Sequence, residues 1–177
     1  MRRTFIPAAA AALLLLTACG AGGGNQAGAG EETSKAPKGP QKVTIGDTVG
    51  TEDGGSITVY EYRVTTDSVD EKVGAADVEV CIAKEAPVGK EDTEVAVMTE
   101  YWSAIDTENR HYNHPTEWTR NKDVSPVLEP ENPTSWGECV RGWTLLDTDD
   151  QSEVAAIRYY RPEGEHSDTV DIRWALK

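Results

Sequence analysis

The sequence predicts an all-β fold, a sandwich of two sheets with about seven strands and one disulfide bridge. Short runs rich in β-branched and aromatic residues recur along the chain, with turn-forming residues between them. The alternation typical of a half-buried strand is clearest where Val78, Val80 and Ile82 fall on one face, and no stretch shows a convincing helical period. The predicted strands are residues 43–45, 57–64, 77–83, 94–105, 139–146, 154–160 and 170–176.

Residues that favour turns separate these runs. They lie at positions 53–55, 88–90, 107–109, 149–150 and 162–164. Residues 153–157 also fit one helical turn, but Arg158, Tyr159 and Tyr160 continue the run and favour a strand.

The core has to be built without phenylalanine, because Phe5, the single one in the sequence, lies close to the N-terminus. Trp102, Trp143 and Trp174 lie within predicted strands. We expect all three to be buried, since an indole ring buries a large apolar area and needs one hydrogen-bond partner. The alternative is that these rings form an exposed wall of binding aromatics.

The first 18 residues have the pattern of an export signal. Arg2 and Arg3 precede an apolar run at residues 8–16, which is too short to span a bilayer because spanning takes about 20 residues. Residues 16–19, Leu-Thr-Ala-Cys, resemble the bacterial lipobox, which implies cleavage before Cys19 and lipid on its sulfur. The alternative is an ordinary secretory signal, and the paired arginines leave open whether the general or the twin-arginine route is used. We therefore expect an extracytoplasmic protein anchored to the outer face of the membrane.

This pattern divides the chain into three segments. Residues 1–18 are the predicted lipoprotein signal peptide, residues 19–41 a lipidated flexible linker and residues 42–177 a single domain. Residues 20–41 contain seven glycines and no large apolar residue, so little in them offsets the entropy cost of ordering.

The two cysteines outside the lipobox should be joined. Outside the cytoplasm thiols oxidise, and Cys81 to Cys139 is the one intramolecular pairing left. Structural zinc needs four ligands, and no histidine lies at the usual spacing from either cysteine.

Several motifs within residues 42–177 resemble a known group. They are residues 45–48, 78–81, 102–106 and 137–143, together with Tyr112, Tyr159 and Trp174, and residues 137–143 are the most specific. The domain resembles secreted actinobacterial lipoproteins that carry an immunoglobulin-like domain of unknown function, related in fold to telokin-like and mycobacterial immunogenic-protein sandwiches. The resemblance implies a two-sheet immunoglobulin-like sandwich with the Cys81–Cys139 bridge, and it transfers no catalytic residues. Gly137 stands where antibody-type domains have tyrosine, which separates this chain from them.

Charge and side-chain chemistry argue against several function classes. With 31 acidic and 17 basic residues, the chain has a formal charge of −14 and lacks the basic surface that nucleic acids need. His111, His114 and Glu117 could form an open zinc site, but their spacing is that of a turn. Residues 147–153 resemble a calcium loop in which serine replaces the required glycine. We therefore predict no metal and no cofactor.

Nucleophilic catalysis has no recognisable motif in this sequence. There is no Gly-x-Ser-x-Gly elbow, and both domain cysteines are assigned to the bridge. Carboxylates are so numerous that a pair of them does not distinguish a catalytic site from ordinary surface acids. We predict that the protein is not an enzyme.

The segment at residues 113–136 is longer than a sandwich connection requires, and it contains four prolines. Trp118 and Trp136 in this segment are the candidate binding residues, because rigid aromatic side chains anchor sugars and proteins. The alternative, which we prefer, is that the segment folds back over the open end of the sandwich.

These observations predict a membrane-anchored binding or interaction module for a protein or cell-wall ligand. The alternatives are a hydrolase of cell-wall carbohydrate or peptide, and a purely structural surface protein whose acidity keeps it soluble.

Overall fold

Three β-sheets make up the part of the chain that the computed structural model describes, which is residues 40–86, 95–115, 121, 123–148, 152–164 and 168–176. The chain divides after Ala36 into two units, and all of these residues belong to the second. The strands, in chain order, are β1 Gln41–Thr44, β2 Thr48–Gly50, β3 Ser56–Thr66, β4 Lys72–Cys81, β5 Val95–Met98, β6 Trp102–Asp106, β7 His111–Asn113, β8 Glu131–Thr134, β9 Cys139–Leu146, β10 Val154–Arg161 and β11 Val170–Ala175.

Two larger sheets enclose the main core. The first has the order β1-β11-β10-β6-β7, with β1 parallel to β11 and the other pairs antiparallel. The second is antiparallel with the order β2-β3-β4-β9. A small third sheet pairs β5 with β8. No helix among the described residues is long and apolar enough to cross a membrane.

The predicted all-β sandwich is confirmed, and each of the seven predicted strands has a counterpart. The predicted strand at residues 94–105 is interrupted, because a 3-10 turn at Thr99–Tyr101 moves the chain from the third sheet into the five-stranded sheet. The strands β2, β7 and β8 were not predicted, since runs of three or four residues show no clear alternation. Residues 153–157 extend into β10, as the strand interpretation expected.

Trp102 and Trp174 lie at the centre of the main core, as predicted. Both are fully buried, with ring centroids 6.0 Å apart. Trp174 Nε1 donates to the backbone oxygen of Asp47 at 2.9 Å, which ties β11 to the turn before β2. Tyr159 packs edge-on against Trp102 at 5.0 Å. The aromatic cluster supplies the large apolar volume that phenylalanine provides in many sandwiches.

Trp143 is also buried, but on the outer face of the four-stranded sheet. Val124 and Val127 pack against Trp143 on that face. The backbone of the same segment pairs with the outer edge of β9, since Leu128 N donates to Trp143 O and Trp143 N donates to Pro126 O, both at 2.8 Å. A side chain at Gly142 would prevent this approach, because its Cβ would lie 2.8 Å from Leu128 Cδ2. This part of the proline-rich segment therefore covers an outer sheet face and pairs with the edge strand β9, and Leu128 reaches the main core. That Trp118 and Trp136 cover the open end of the sandwich stays a prediction, because Trp118 lies outside the described residues.

The predicted bridge between Cys81 and Cys139 is present. The two cysteines are register partners at the ends of β4 and β9. The bridge therefore joins neighbouring strands of one sheet, and it fixes the start of β9 against the end of β4.

A predicted turn is organised around a buried carboxylate. Asp106 accepts hydrogen bonds from the backbone nitrogens of Glu108 and Arg110, from Arg110 Nε at 2.6 Å and from the hydroxyl of Tyr112 at 3.0 Å. Asn109 takes the left-handed conformation that closes the turn, with φ of 64°. Burial opposes the charge on Asp106, but these hydrogen bonds outweigh it and lower its pKa to about 2.

We expect Asp106→Asn to remove part of the acid sensitivity of folding. The pKa of Asp106 is lower in the folded chain than its ordinary 3.8, so the carboxylate stabilises the fold above about pH 4 and loses that effect as the pH falls towards 2. Urea unfolding of both proteins between about pH 2 and pH 7 checks this, because the difference in unfolding free energy should shrink towards the acid end. A difference that does not change with pH would contradict the assignment.

Candidate ligand-binding cavity

A cavity of about 340 Å³ lies where the β2–β3 turn, the end of β4, β5 and the end of β10 meet. Its walls are mostly apolar and come from all three sheets. They include Ile57, Val80, Ile82, Val97, Met98 and Tyr101. Both the volume and the apolar lining are typical of small-molecule sites, which span roughly 300–1,000 Å³.

Strand alternation explains why these apolar side chains meet. Ile57 on β3 and Val80 on β4 are register partners, and both are buried on the inner face of their sheet. Val97 on β5 is buried as well, and the 3-10 turn that follows β5 brings Tyr101 to the same space. The break between β5 and β6 therefore shapes one wall of the cavity.

One corner of the cavity is polar. Arg161 Nη2 donates to Asp53 Oδ2 at 2.7 Å, joining the end of β10 to the β2–β3 turn. Asp53 also accepts a hydrogen bond from the hydroxyl of Thr51 and one from Gly55 N at 3.4 Å. Burial works against the charge on Asp53, but the hydrogen bonds from Thr51 and Arg161 outweigh it and hold its pKa below the usual value.

Tyr159 lines the cavity beside Arg161. Burial raises the pKa of Tyr159 to about 12, although the positive charge of Arg161 acts in the opposite direction. The hydroxyl therefore keeps its proton at neutral pH.

Trp136 reaches the cavity through a tight turn between β8 and β9. Gly137 has a φ of 82°, which suits glycine, and its nitrogen donates to Ala83 O at 2.8 Å. Ile82 N donates to Glu138 O at 2.9 Å, and the bridge from Cys139 follows at the next residue. The specific motif at residues 137–143 thus holds Trp136 against the end of β4.

Two of the residues that line the cavity each have one N–H donor that lies beneath the surface. Trp136 Nε1 and Arg161 Nε are both buried and find no hydrogen-bond partner among the described residues. Buried donors are almost always paired, so each such group calls for an explanation.

The structure describes one of the two predicted binding residues. Trp136 lies on the cavity wall, and Trp118 lies outside the described residues, so the two are not shown together. Asp53, Tyr159 and Arg161 were not predicted. Tyr159 belongs to a predicted strand that gave no sign of function, Arg161 directly follows that predicted strand, and Asp53 belongs to a predicted turn.

The predicted weak metal patterns fall partly outside the described chain. His111 lies on β7, His114 follows it, and Glu117 and residues 149–151 lie outside the described residues. His114 Nδ1 is 2.7 Å from Pro115 O, and burial lowers the pKa of this histidine. Where side chains are described, no group of three or more His, Cys, Asp and Glu residues could hold a metal ion.

Comparison with known proteins supports the fold. No protein-family model matches the sequence, and no curated protein matches it either. Among solved structures, the chain is similar to MPT63, a secreted protein from Mycobacterium tuberculosis, with a TM-score of 0.51 and 12% identity. The similarity is in fold alone.

The match covers 78% of this chain and 99% of MPT63. The sandwich of this chain therefore corresponds to nearly the whole of the mycobacterial protein. This agrees with the two-sheet sandwich that the resemblance implied.

Proposed function

We propose that this protein is an extracytoplasmic binding module, held at the outer face of the membrane by lipid on Cys19, that takes a small and mainly apolar ligand into the cavity beside Trp136. The cavity is the observation that carries the proposal, because it combines apolar walls with one polar corner at Asp53 and Arg161. Ligand sites commonly pair an apolar lining with a few polar groups that orient the ligand.

Three observations support an extracytoplasmic location. Residues 1–19 have the charge, apolar run and Leu-Thr-Ala-Cys sequence of a lipoprotein signal. The Cys81–Cys139 bridge suits an oxidising compartment. The similar structure, MPT63, is described as a secreted protein.

The lipid anchor makes the bilayer the first partner of this protein. The chain is strongly acidic, so anionic headgroups and nucleic acids repel it, and the anchor alone would hold it near the membrane. A protein or cell-wall component would reach the cavity by inserting an apolar group.

Binding is better supported than hydrolysis. The carboxylate of Asp53 is occupied by Arg161 and Thr51, and Tyr159 has a pKa of about 12. Neither group is suited to accept a proton at neutral pH, where a general base works best with a pKa near that of the solution.

We expect Cys19→Ala to release the protein from the membrane fraction, because the thiol that takes the lipid is lost. Fractionation of cells and medium followed by immunoblotting measures the distribution. Ala21→Ser, two residues further on, should leave the protein in the membrane fraction. Retention of Cys19→Ala with the membranes would contradict lipid anchoring.

The cavity is tested with N-phenyl-1-naphthylamine, a neutral apolar dye whose fluorescence rises in apolar surroundings. The Cys19→Ala chain is used, because acyl chains on the native protein would compete for the dye. We expect saturable binding at one site, lost in Ala96→Phe, which places a ring in the cavity. Val64→Phe adds the same ring at an exposed position and should bind normally. No binding, or equal binding by Ala96→Phe, would contradict the proposed function.

A further inference from the structure

We propose that the cavity receives an extended peptide segment of a partner protein, which has apolar side chains at alternate positions and a basic residue beside them, and which pairs through its backbone with the open edge of β5. This inference rests on the proposed function and names the class of its ligand. It follows from the open edge of β5, the apolar space beside that edge and the charge on the cavity wall.

The strand β5 has one open edge, because among the strands that the structure describes it pairs with β8 alone. In an antiparallel pair, residues that exchange backbone hydrogen bonds alternate with residues whose N–H and C=O groups point away. Ala96 lies opposite Pro133, which has no N–H to give, and Thr99 N donates to Pro130 O at 3.1 Å. The backbone groups of Ala96 and the N–H of Met98 therefore point away from β8, towards the open edge.

This open edge lies on the cavity wall. All four residues of β5, Val95–Met98, line the cavity. Successive side chains of a strand point to opposite faces, so a space that touches all four residues follows the edge of the strand. Because β8 occupies the other edge, the cavity runs along the open one. An extended peptide laid there would exchange hydrogen bonds with the backbone of Ala96, as strands added to sheet edges do.

The space beside the open edge accepts apolar side chains. Its opposite wall includes Ile57, Val80 and Ile82 from the four-stranded sheet. A water molecule occupies about 30 Å³ in the liquid, so the 340 Å³ cavity holds roughly ten groups of that size, which suits a pair of branched aliphatic side chains. Side chains on one face of a strand stand at alternate positions. The peptide should therefore carry its apolar residues at every second position.

The charge on the cavity wall favours a basic residue in the peptide. Glu85 lies on the wall at an exposed position. Asp53 is already paired with Arg161 at 2.7 Å, so the charge of Glu85 is left unbalanced among the described residues of the wall. The net charge of −14 acts in the same direction, because it attracts basic peptides and repels acidic ones.

Displacement of N-phenyl-1-naphthylamine from the Cys19→Ala chain measures peptide binding. The competitors are capped hexapeptides Lys-X-Thr-X-Thr-Lys, in which X is valine, isoleucine, leucine or phenylalanine. A second set, Lys-X-X-Thr-Thr-Lys, has the same composition with the apolar residues adjacent. We expect at least one peptide of the first set to displace the dye. Its counterpart in the second set should bind about tenfold more weakly, because one apolar side chain then points away from the cavity.

Methylated versions of the best peptide test the pairing with β5. In a strand added at an edge, the N–H groups of alternate residues face the sheet and the others face solvent. One peptide is therefore N-methylated at both X residues and another at both threonines. We expect one of the two to bind about tenfold more weakly and the other to keep its affinity within about twofold. Equal affinities of the two methylated peptides, whether kept or lost, would overturn the pairing.

Two substitutions test the protein side of the contact. Ala96→Pro removes the N–H at the open edge and should weaken the peptide about fivefold more than the dye, because the dye offers no carbonyl to that N–H. Glu85→Gln should weaken the peptide about twofold. Glu71→Gln, in the turn at the opposite end of β3 and β4 from the cavity, should not. Equal losses of peptide and dye in Ala96→Pro would contradict the backbone hydrogen bond, and equal affinities in the two glutamine variants would contradict the charge assignment.

The outcomes separate this inference from the proposed function. If the dye binds but no peptide displaces it, the site exists and the ligand class is wrong. If neither the dye nor any peptide binds, the proposed function itself fails. Displacement by the alternating peptides, weakened by one set of N-methyl groups alone, supports both.

Discussion

Cys81→Ala/Cys139→Ala should lower the free energy of unfolding by about 4 kcal/mol, because the unfolded chain regains the conformational entropy that a closed loop of this length had removed. The two cysteines are separated by 58 residues in the sequence. The bridge also holds the start of β9 against β4, close to Trp136 and the cavity. Losing it should therefore weaken dye binding as well as stability.

Urea unfolding with and without reductant measures this effect. Reduced wild-type protein should match the double variant, and the double variant should not respond to reductant. Thiol titration of the unfolded, unreduced protein should find no free thiol from this pair. Two free thiol equivalents, or a change of less than about 1 kcal/mol on removing both cysteines, would contradict the account of the bridge.

Trp174→Ala should cost about 3–5 kcal/mol of stability, as removal of a large buried aromatic ring usually does. The ring is fully buried against Trp102, and its Nε1 donates to Asp47 O at 2.9 Å. The substitution leaves a cavity in the centre of the main core and an unpaired backbone oxygen.

The matched control for Trp174→Ala is Tyr160→Ala on the neighbouring strand β10. Tyr160 is 40% exposed, and its ring contacts the guanidinium of Arg158 at 4.4 Å. We expect its loss to cost about 1 kcal/mol, because a cation–π contact at an exposed site contributes about that much. Thermal or urea unfolding compares the two variants, and similar losses would show that Trp174 does not hold the core together.

Local sequence patterns were sufficient for the parts of the fold that depend on local physics. Strict alternation at Val78, Val80 and Ile82 identified β4, because side chains on a strand alternate between faces. The cysteine pair followed from compartment and count, and the bridge is present. Trp102 and Trp174 were predicted as core from ring size alone.

Features that depend on long-range packing could not be predicted in the same way. Trp143 has the same strand context as Trp174, yet it is buried against residues 123–128 on the outer sheet face. Nothing in its immediate sequence distinguishes the two faces of a sheet when both are covered. The break between β5 and β6 could not be predicted either, because apolar residues continue through it and only the strands that pair with each side change.

The residues of the candidate site also divide into those with a local sequence signal and those that only long-range packing brings together. Trp136 was identified because it belongs to a long, proline-rich segment with two tryptophans. Asp53 and Arg161 are 108 residues apart, and only the folded chain brings them to within 2.7 Å. An acid in a turn and a base at a strand end are common on protein surfaces, so neither residue carries a local signal of function.

The indole signals of the protein test the central claim most directly. The ¹⁵N-labelled Cys19→Ala chain is titrated with N-phenyl-1-naphthylamine, and the signal of Trp136 is assigned by its absence in Trp136→Phe. Binding at the cavity predicts that the Trp136 indole N–H signal shifts and saturates, while those of Trp143 and Trp174 stay in place. A Trp136 signal that does not move, or that moves no more than the signal of Trp143, would contradict the claim that this cavity is the ligand site.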